Sequence, residues 1–433
     1  MIPPSQPTLP NRHPHMRTSR LAPLILPALL LAAAPCDAQQ SRTTYMAGVI
    51  TSQGKTEHVW MDTEKGIDVR AGGEVALRDG AADVESLPAG GYFTVQQRVG
   101  SSTHRAEWHP ASGGGVTRSY TVNGERRDFA EARPWLDRFF PEIRRHTSIG
   151  ARARFSRVLA QRGVSGVLDE AAAAESGATR QVFLEGIAER DLSPAETQRF
   201  LQAAGGISSG STRRDLLLKM AARRPLTADQ WTAWLAAAST VSSGSDRREL
   251  LHAAVAKYPR GRALPDGFFR ALDGISSSSD RREVLTRLLA VRGGEPGTLG
   301  SVLASTAKLG SSSDRREVLE RAAALPIPAG AVPQYLHVVA GSSSSSDRRD
   351  ALAALLRSRA VLGTAPAAVA WLGAVKQVSS ESDRATLLTA AIGRLPADRP
   401  TRAAFTEALE TLSSDTYYNQ VATAYLRSQA ERS

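Results

Sequence analysis

The sequence predicts an α+β protein that is mostly α, with a small N-terminal antiparallel β domain followed by an α-solenoid of about seven two-helix repeats and a 34-residue period. Two observations carry this prediction. A serine-rich phrase recurs at a nearly constant interval in the second half of the chain, and apolar residues beside it have helical spacing. Before residue 131, short runs alternate apolar and polar residues between glycine turns, as in half-buried strands.

The repeated phrase is Ser-x-Ser-Asp-Arg-Arg-Glu-x-Leu or a close variant of it. Its four clearest copies are separated by 34, 34 and 33 residues, measured between Asp246, Asp280, Asp314 and Asp347. Weaker copies precede and follow them, with Thr212 one period before Asp246 and Asp383 after Asp347 at a spacing of 36. Eroded copies begin near Ala178 and at Ser413. This regularity predicts a stacked array in which each repeat is one structural unit.

Each period contains two predicted helices. In the first helix the apolar residues keep one register, as Leu250-Leu251 with Ala254-Val255 and, one period later, Val284-Leu285 with Leu288-Leu289. The second helix carries Trp234-Leu235 and, one period later, Phe268-Phe269. Since one helix pair cannot bury both stripes, neighbouring pairs must stack.

The serine-rich phrase is predicted to start a helix. Its acidic residues have the D-x-x-E spacing of a capping box, in which Asp accepts an amide hydrogen bond and Glu reaches back to the cap. The residues that this pattern predicts as repeat caps are Asp246, Glu249, Asp280, Glu283, Asp314, Glu317 and Asp347. The alternative is that Ser243 or Ser277 is the cap and that Asp lies in the first turn, where it favours the helix dipole. In either case, stacking predicts an ion-pair ladder between Asp and Arg of successive copies.

The chain is predicted to divide into four parts. Residues 1–38 are a signal peptide with Met16 as a possible true start, 41–131 a β-meander or roll, 132–146 a connecting helix and 147–433 the helical repeat array. In the β part, Asn123-Gly124 is a strong hairpin signal because both positions of a tight turn need positive φ. Trp135, Phe139 and Phe140 lie on one face of the connecting helix.

The N-terminal part predicts export to the periplasm or the medium. Arg17 and Arg20 precede an apolar run of 14 residues, and small side chains then allow cleavage between Ala38 and Gln39. The run is too short to span a bilayer, which needs about 20 apolar residues, so no transmembrane segment is expected in the mature chain. A lipoprotein anchored through Cys36 is disfavoured by Pro35, which stands where a small residue is needed. As Cys36 is the chain's one cysteine, a mature cysteine nucleophile, disulfide or zinc-cysteine site is excluded.

The chain is basic, with a formal net charge of +11, and the excess lies in its helical part. This charge makes an anionic partner, such as envelope polymer or a lipid head group, a possibility to test. The candidate residues for a partner or anion surface are Arg247, Arg281, Arg315 and Arg348. Nucleic acid is not expected as a partner of an exported protein, and the Asp-Arg-Arg-Glu phrase is itself neutral.

Motifs that suggest chemistry do not have the context that the chemistry needs. Ser208 lies in a G-x-S-x-G match, but a helix precedes it where a nucleophile elbow requires a strand. Ser305 and Lys308 match S-x-x-K without supporting motifs, and Gly54-Lys55-Thr56 lacks a phosphate loop's first glycine and helix. The histidines, including His104, His109, His252 and His337, lack metal-ligand spacing. We therefore expect no catalytic residue, no metal site and no cofactor.

One resemblance is visible in these residues. Several segments are similar to a β-plus-helical-repeat region of uncharacterised bacterial exported proteins. They are Gly90-Gly91-Tyr92-Phe93-Thr94-Val95, Pro134-Trp135-Leu136, Phe140-Pro141-Glu142-Ile143-Arg144, Ile149-Gly150-Ala151-Arg152 and the Ser-Asp-Arg repeats. The region also resembles the part downstream of the peptidase in BlaR-type membrane sensors. Since the chain has no H-E-x-x-H, the resemblance implies a sensing or partner-binding module and no peptidase activity.

Together these features predict a non-enzymatic scaffold or sensor accessory of the cell envelope that binds a protein or peptide. A binder of anionic envelope polymer or lipid head groups is the alternative, and a hydrolase without a recognisable motif is the third. The partner's identity and the oligomeric state do not follow from the sequence.

Overall fold

The structure is a computed structural model that describes residues 45–52, 55–78, 80–223, 225–358 and 363–430. The predicted signal peptide and its cleavage between Ala38 and Gln39 lie outside these residues. Thr44–Ser433 forms one compact unit. Its architecture is an antiparallel sheet region followed by a helical array, which confirms the predicted α+β, mostly α class.

The N-terminal part of this unit is a seven-stranded antiparallel meander in the order β1-β2-β3-β6-β7-β8-β9, with a separate β4-β5 hairpin inserted after β3. The strands are β1 Tyr45–Ser52, β2 Lys55–Asp62, β3 Ile67–Gly72, β4 Ala76–Leu77, β5 Val84–Ser86, β6 Tyr92–Val99, β7 Ser102–Pro110, β8 Val116–Val122 and β9 Glu125–Arg127. The hairpin signal is confirmed, because Asn123 and Gly124 both have positive φ between β8 and β9.

One face of the meander is apolar and the other is charged, as the period-two pattern predicts. Phe93, Val95, Ala106 and Trp108 are fully buried on the inner face. The outer face carries exposed ion pairs along the strands, such as Arg70 with Asp68 at 2.9 Å and Arg105 with Glu107 at 2.6 Å. The inner face therefore needs a cover.

The helix α1, Arg133–His146, supplies that cover. It buries Trp135, Leu136, Phe139, Phe140 and Ile143 in the sheet's core, which confirms the predicted apolar face. Aromatic rings meet across the interface, with Phe93 and Phe140 at 6.0 Å in an edge-to-face arrangement. The α1 helix thus belongs to the core of the sheet.

The array follows, built from two rows of helices. The kinked helix α2, Ala151–Ala173, contains Gly163 at φ 64° and leads into seven pairs and a last single helix. The first-row helices are α3 Gly177–Ile187, α5 Gly210–Arg223, α7 Gly244–Lys257, α9 Ser278–Arg292, α11 Ser312–Ala323, α13 Ser345–Arg357, α15 Glu381–Ala391 and α17 Asp415–Ala430. The second-row helices are α4 Pro194–Gly205, α6 Ala228–Ser239, α8 Asp266–Asp273, α10 Thr298–Thr306, α12 Val332–Ala340, α14 Ala365–Lys376 and α16 Arg399–Leu409.

Stacking of successive repeats holds the array together. Each first-row helix packs on the next one in its row from α3 to α17, and one hydrophobic cluster runs through all the repeats. Within a repeat, an aromatic of the second helix donates to a carbonyl of the first helix, as Trp234 Nε1 does to Leu217 at 2.9 Å and Trp371 Nε1 to Leu352 at 3.0 Å. The predicted apolar stripes are confirmed by burial at both helices. Among the described helices, none combines the length and the apolar character needed to cross a membrane.

Candidate functional site

The serines of the repeated phrase cap the first-row helices. Ser243 Oγ accepts the amide hydrogen of Asp246 at 3.2 Å, and Ser277 does the same for Asp280. The caps at Ser176, Ser209, Ser311, Ser344 and Ser380 are equivalent. The predicted capping box is therefore wrong. Its proposed caps are Asp246, Asp280, Asp314 and Asp347, with Glu249, Glu283 and Glu317 as their partners. The serine alternative is confirmed, and it leaves the aspartate carboxylates free for other contacts.

The first arginine of each Arg-Arg pair is directed inward and binds backbone carbonyls. Arg247 donates to the carbonyl of Val241 at 2.5 Å and to that of Ala271, near the end of the next second-row helix, at 3.5 Å. Arg348 likewise donates to Ser342, just after α12 of the preceding repeat, at 2.6 Å and to Gln377, at the end of α14, at 2.8 Å. These carbonyls end helices and lack an amide partner, so a guanidinium with several N–H donors suits them.

This geometry corrects the predicted partner or anion surface. Arg247 and Arg281 are buried, and burial lowers the pKa of Arg247. Arg315 and Arg348 are half-buried and bind carbonyls at the ends of second-row helices, Arg315 at Gly341 and Arg348 at Ser342 and Gln377. Arg247, Arg281 and Arg348 connect the ends of successive second-row helices, Arg315 binds the end of α12, and these guanidinium groups do not form an open basic surface.

The second arginine of each pair forms the predicted ion-pair ladder. Arg248 meets Asp280 of the next repeat at 2.7 Å, and Arg349 meets Asp383 at 2.8 Å. The other rungs pair Arg214 with Asp246, Arg282 with Asp314 and Glu317, and Arg316 with Asp347. The ladder prediction is confirmed over five rungs.

The ladder stops where the sequence changes on both sides of a rung. In the α3 helix, Gln181 stands where the second arginine belongs, and the next copy has Thr212 in place of aspartate. At the other end, Ala385 replaces the arginine and Tyr417 stands at the next aspartate position. Cation and anion are therefore lost together, which indicates that the pair has one shared structural role.

A cleft of about 990 Å³ lies between the sheet and the first helices of the array. Its sheet-side wall comes from β2, the end of β3 and the loop before β6, and its helical wall from the start of α2 and one face of α3. A smaller cleft of about 460 Å³ continues from it, and Glu74, Arg152, Val182 and Glu185 line both. This junction is the largest concave feature among the described pockets and is our candidate functional site.

Tyr92 and Glu57 form a fixed pair on the sheet side of the cleft. The Tyr92 hydroxyl donates to Glu57 Oε1 at 2.6 Å. Burial and this hydrogen bond raise the pKa of Tyr92 to about 12, so the phenol stays neutral and acts as a donor. The Tyr92 ring lies where the Cβ of residue 72 would point, and Gly72 makes this position possible.

His58 and Ser148 form a second polar pair in the cleft, with His58 Nδ1 and Ser148 Oγ 3.2 Å apart. Burial and the nearby Arg152 charge lower the pKa of His58, so the ring is neutral near pH 7. A serine nucleophile needs a histidine that is itself oriented by a third group. Within the described residues no carboxylate bonds to the His58 ring, so this pair lacks that member.

Two charged side chains at the cleft mouth have no fixed partner. Glu74 and Arg152 are exposed, and neither side chain makes an ion pair or hydrogen bond with the described part of the chain. Glu185 accepts a hydrogen bond from Gln181 of the same helix at 2.9 Å. Unlike the charges of the repeat turns, the charges of Glu74 and Arg152 are available to a ligand.

The short sequence motifs that lacked a suitable context do not form sites in the structure. Ser208 is exposed in the turn between α4 and α5. Ser305 is buried, whereas Lys308 Nζ bonds to Asp273 at 2.5 Å. Gly54 lies outside the described residues. Among those described, no group of three metal-binding side chains is close enough to hold an ion.

Histidines outside the cleft occupy separate places. His104 Nδ1 is 2.6 Å from the Tyr120 hydroxyl, and His109, further along the same strand, is exposed. His252 is partly buried, and desolvation lowers its pKa. His337 is exposed on α12. They do not converge on a site.

Sequence reasoning did not find the cleft residues. Glu57, Glu74, Arg152 and Glu185 come from four distant segments that share no motif, so their proximity follows only from the fold. One signal was present for α3, because Gln181 breaks the Arg-Arg pattern at the repeat that forms the cleft wall.

Comparison with known protein families and with curated proteins finds no match. Among solved structures, a similar chain comes from work on the computational design of self-assembling cyclic protein homooligomers. It is 11% identical, with a TM-score of 0.13, and the match covers 65% of this chain and 88% of that one. Such a low TM-score carries no argument. Nothing in these comparisons links the chain to BlaR-type sensors, so that resemblance stays a prediction.

Proposed function

We propose that this protein is a non-catalytic polypeptide-binding protein, in which the helical array is a stable support and the cleft between sheet and array is the binding site. The observation that carries the proposal is the cleft. Its volume of about 990 Å³ lies at the upper end of the range typical of ligand sites. Its lining combines apolar side chains, such as Ile149 and Val182, with several polar and charged groups that can orient a ligand.

The proposal includes a location in the cell envelope, as expected for a scaffold or sensor accessory. Fusion of residues 1–38 to a reporter that is active only after export tests this part. Export of the fusion supports it, and retention of the reporter inside the cell contradicts it.

A photo-crosslinking experiment tests the binding role. A benzoylphenylalanine is placed at Ala178, which lines the cleft, and in a control protein at Ala236, which is exposed on α6. We expect a discrete polypeptide adduct in living cells from position 178 and none from position 236. Equal labelling at both positions, or none at 178, contradicts the proposal.

The net charge of +11 favours a second candidate, a binder of anionic envelope polymer. The arginines engaged in the repeat turns reduce the charge available for it. Retention on heparin that collapses with added salt, together with failure of the crosslink at Ala178, would favour this candidate.

A further inference from the structure

We infer that the cleft takes an extended polypeptide segment and places a lysine or arginine side chain of that segment between Glu74 and Glu185. This inference rests on the proposed function and adds the chemistry of the ligand. Both carboxylates line the large and the small cleft, so they lie where the two clefts meet.

The charges of the lining favour a cation over an anion. Three carboxylates, Glu57, Glu74 and Glu185, line the large cleft, and Arg152 is its one formally charged basic residue. His58 adds no charge near neutral pH, because its pKa is lowered by burial and by Arg152. An acidic ligand would meet an excess of like charge, whereas a basic side chain is attracted by it.

The helical wall fits this assignment. The α3 helix presents Ala178, Gln181, Val182 and Glu185 to the cleft, at a spacing that puts them on one face. A second arginine at position 181, as in the five ladder repeats, would add a positive charge to this wall. Gln181 instead donates a hydrogen bond to Glu185, which orients the carboxylate without neutralising its charge.

The sheet-side wall suits a polypeptide backbone. Gly90 and Gly91 line the cleft, and the space where a Cβ of residue 90 would lie is open. A peptide can therefore approach the main chain closely at this position. Pro88 on this wall and Val182 on the helical wall provide apolar contact for the aliphatic part of a long basic side chain.

The test uses three fluorescein-labelled octapeptides of one alanine-serine sequence, with lysine, norleucine or glutamate at the central position. An extended octapeptide spans about 26 Å. Binding to the full chain is measured by fluorescence anisotropy at low and high salt. The variants tested are Glu74→Gln, Glu185→Gln and Arg152→Gln. The matched control is Glu189→Gln, which changes an exposed carboxylate that does not line the cleft.

We expect the lysine peptide to bind most tightly and the glutamate peptide most weakly. Glu74→Gln and Glu185→Gln each weaken binding of the lysine peptide by about three- to fivefold, the range of an exposed ion pair. Added salt also weakens this binding. Arg152→Gln strengthens binding of the lysine peptide, since a like charge is removed, and Glu189→Gln leaves this binding unchanged. Ala178→Trp, which fills the cleft, abolishes binding of all three peptides while the circular dichroism spectrum stays unchanged.

Several results would overturn the inference. Preference for the glutamate peptide with loss on Arg152→Gln identifies an acidic ligand. Equal binding of lysine and norleucine peptides removes the role of the carboxylates but leaves the polypeptide-binding proposal intact. If no octapeptide binds, the inference is wrong, and the crosslink at Ala178 decides the proposed function separately.

Discussion

The repeat turns and the junction cleft use charged side chains differently. In the turns, Arg247 binds backbone carbonyls and Arg248 binds Asp280 of the next repeat, so both guanidinium groups are engaged within the array. In the cleft, Glu74 and Arg152 are exposed, and their side chains have no partner among the described residues. The difference teaches that a high arginine content does not by itself indicate a binding surface. A functional site is better sought where charges are left unpaired.

The largest expected effect concerns the apolar core between repeats. Leu285 of α9 is fully buried, and Leu285→Ala should lower the free energy of unfolding by about 2 to 5 kcal/mol through loss of contacts and the cavity left behind. Urea denaturation measures this loss. Arg282→Ala, which removes a ladder arginine three residues before Leu285, should lower the free energy of unfolding by at most about 1 kcal/mol. Comparable losses in the two variants would show that the assignment of inner and outer faces is wrong.

Asp83, just before β5, is a partly buried charge that is satisfied by internal hydrogen bonds, and it extends the comparison beyond the array. Burial alone would raise the pKa of Asp83, but hydrogen bonds from Arg118, Trp108 and the Val84 amide together lower it. Because the folded-state pKa is lowered, the stabilisation is present above the unfolded-state value of about 3.9 and is lost as the pH falls through the folded-state value.

Asp83→Asn should therefore cost about 1.5 to 3 kcal/mol near neutral pH, and the difference from the wild type should shrink below about pH 4. Urea titrations at several pH values, followed by tryptophan fluorescence, measure this difference. A gap between the two proteins that is independent of pH would mean that the carboxylate charge has no role.

The two arginines of one pair allow a matched test. Arg247→Ala leaves carbonyls at two helix ends without a donor, and we expect a loss of about 1 to 3 kcal/mol. Arg248→Ala removes one partly exposed ion pair, and we expect at most about 1 kcal/mol. Thermal denaturation of both variants against the wild type gives the order. The reverse order would place the structural role on the ladder.

The smallest effect is expected in the cleft. Glu74→Gln removes an exposed carboxylate without a partner, so the free energy of unfolding should change by less than about 0.5 kcal/mol. The same variant weakens the lysine octapeptide. A large loss of stability would instead make Glu74 part of the structure.

The repeat architecture could be predicted from the sequence because it depends on local periodicity. Leu250, Leu251, Ala254 and Val255 recur in one register, and each is buried as expected. The ladder was also predictable, since stacking brings each arginine to the aspartate of the following copy.

The inward direction of the first arginine was missed, because Arg247 and Arg248 are adjacent and identical in type. The repeats themselves held a signal. The first position is still arginine in the copies with Arg180 and Arg384, whereas the second becomes Gln181 and Ala385 there. A residue retained where its neighbour is lost has the more demanding environment. Apart from Gln181, the cleft residues carried no such signal, since they meet only through tertiary packing.

Chemical modification of arginine tests the central distinction most directly. The native protein is treated with phenylglyoxal, and labelling at each arginine is followed over time by peptide mass spectrometry. We predict that Arg152 is labelled rapidly, that Arg248 and the other ladder arginines follow more slowly, and that Arg247 and Arg281 stay protected until the chain unfolds. Labelling of Arg247 as fast as Arg152 in the folded protein would contradict the account.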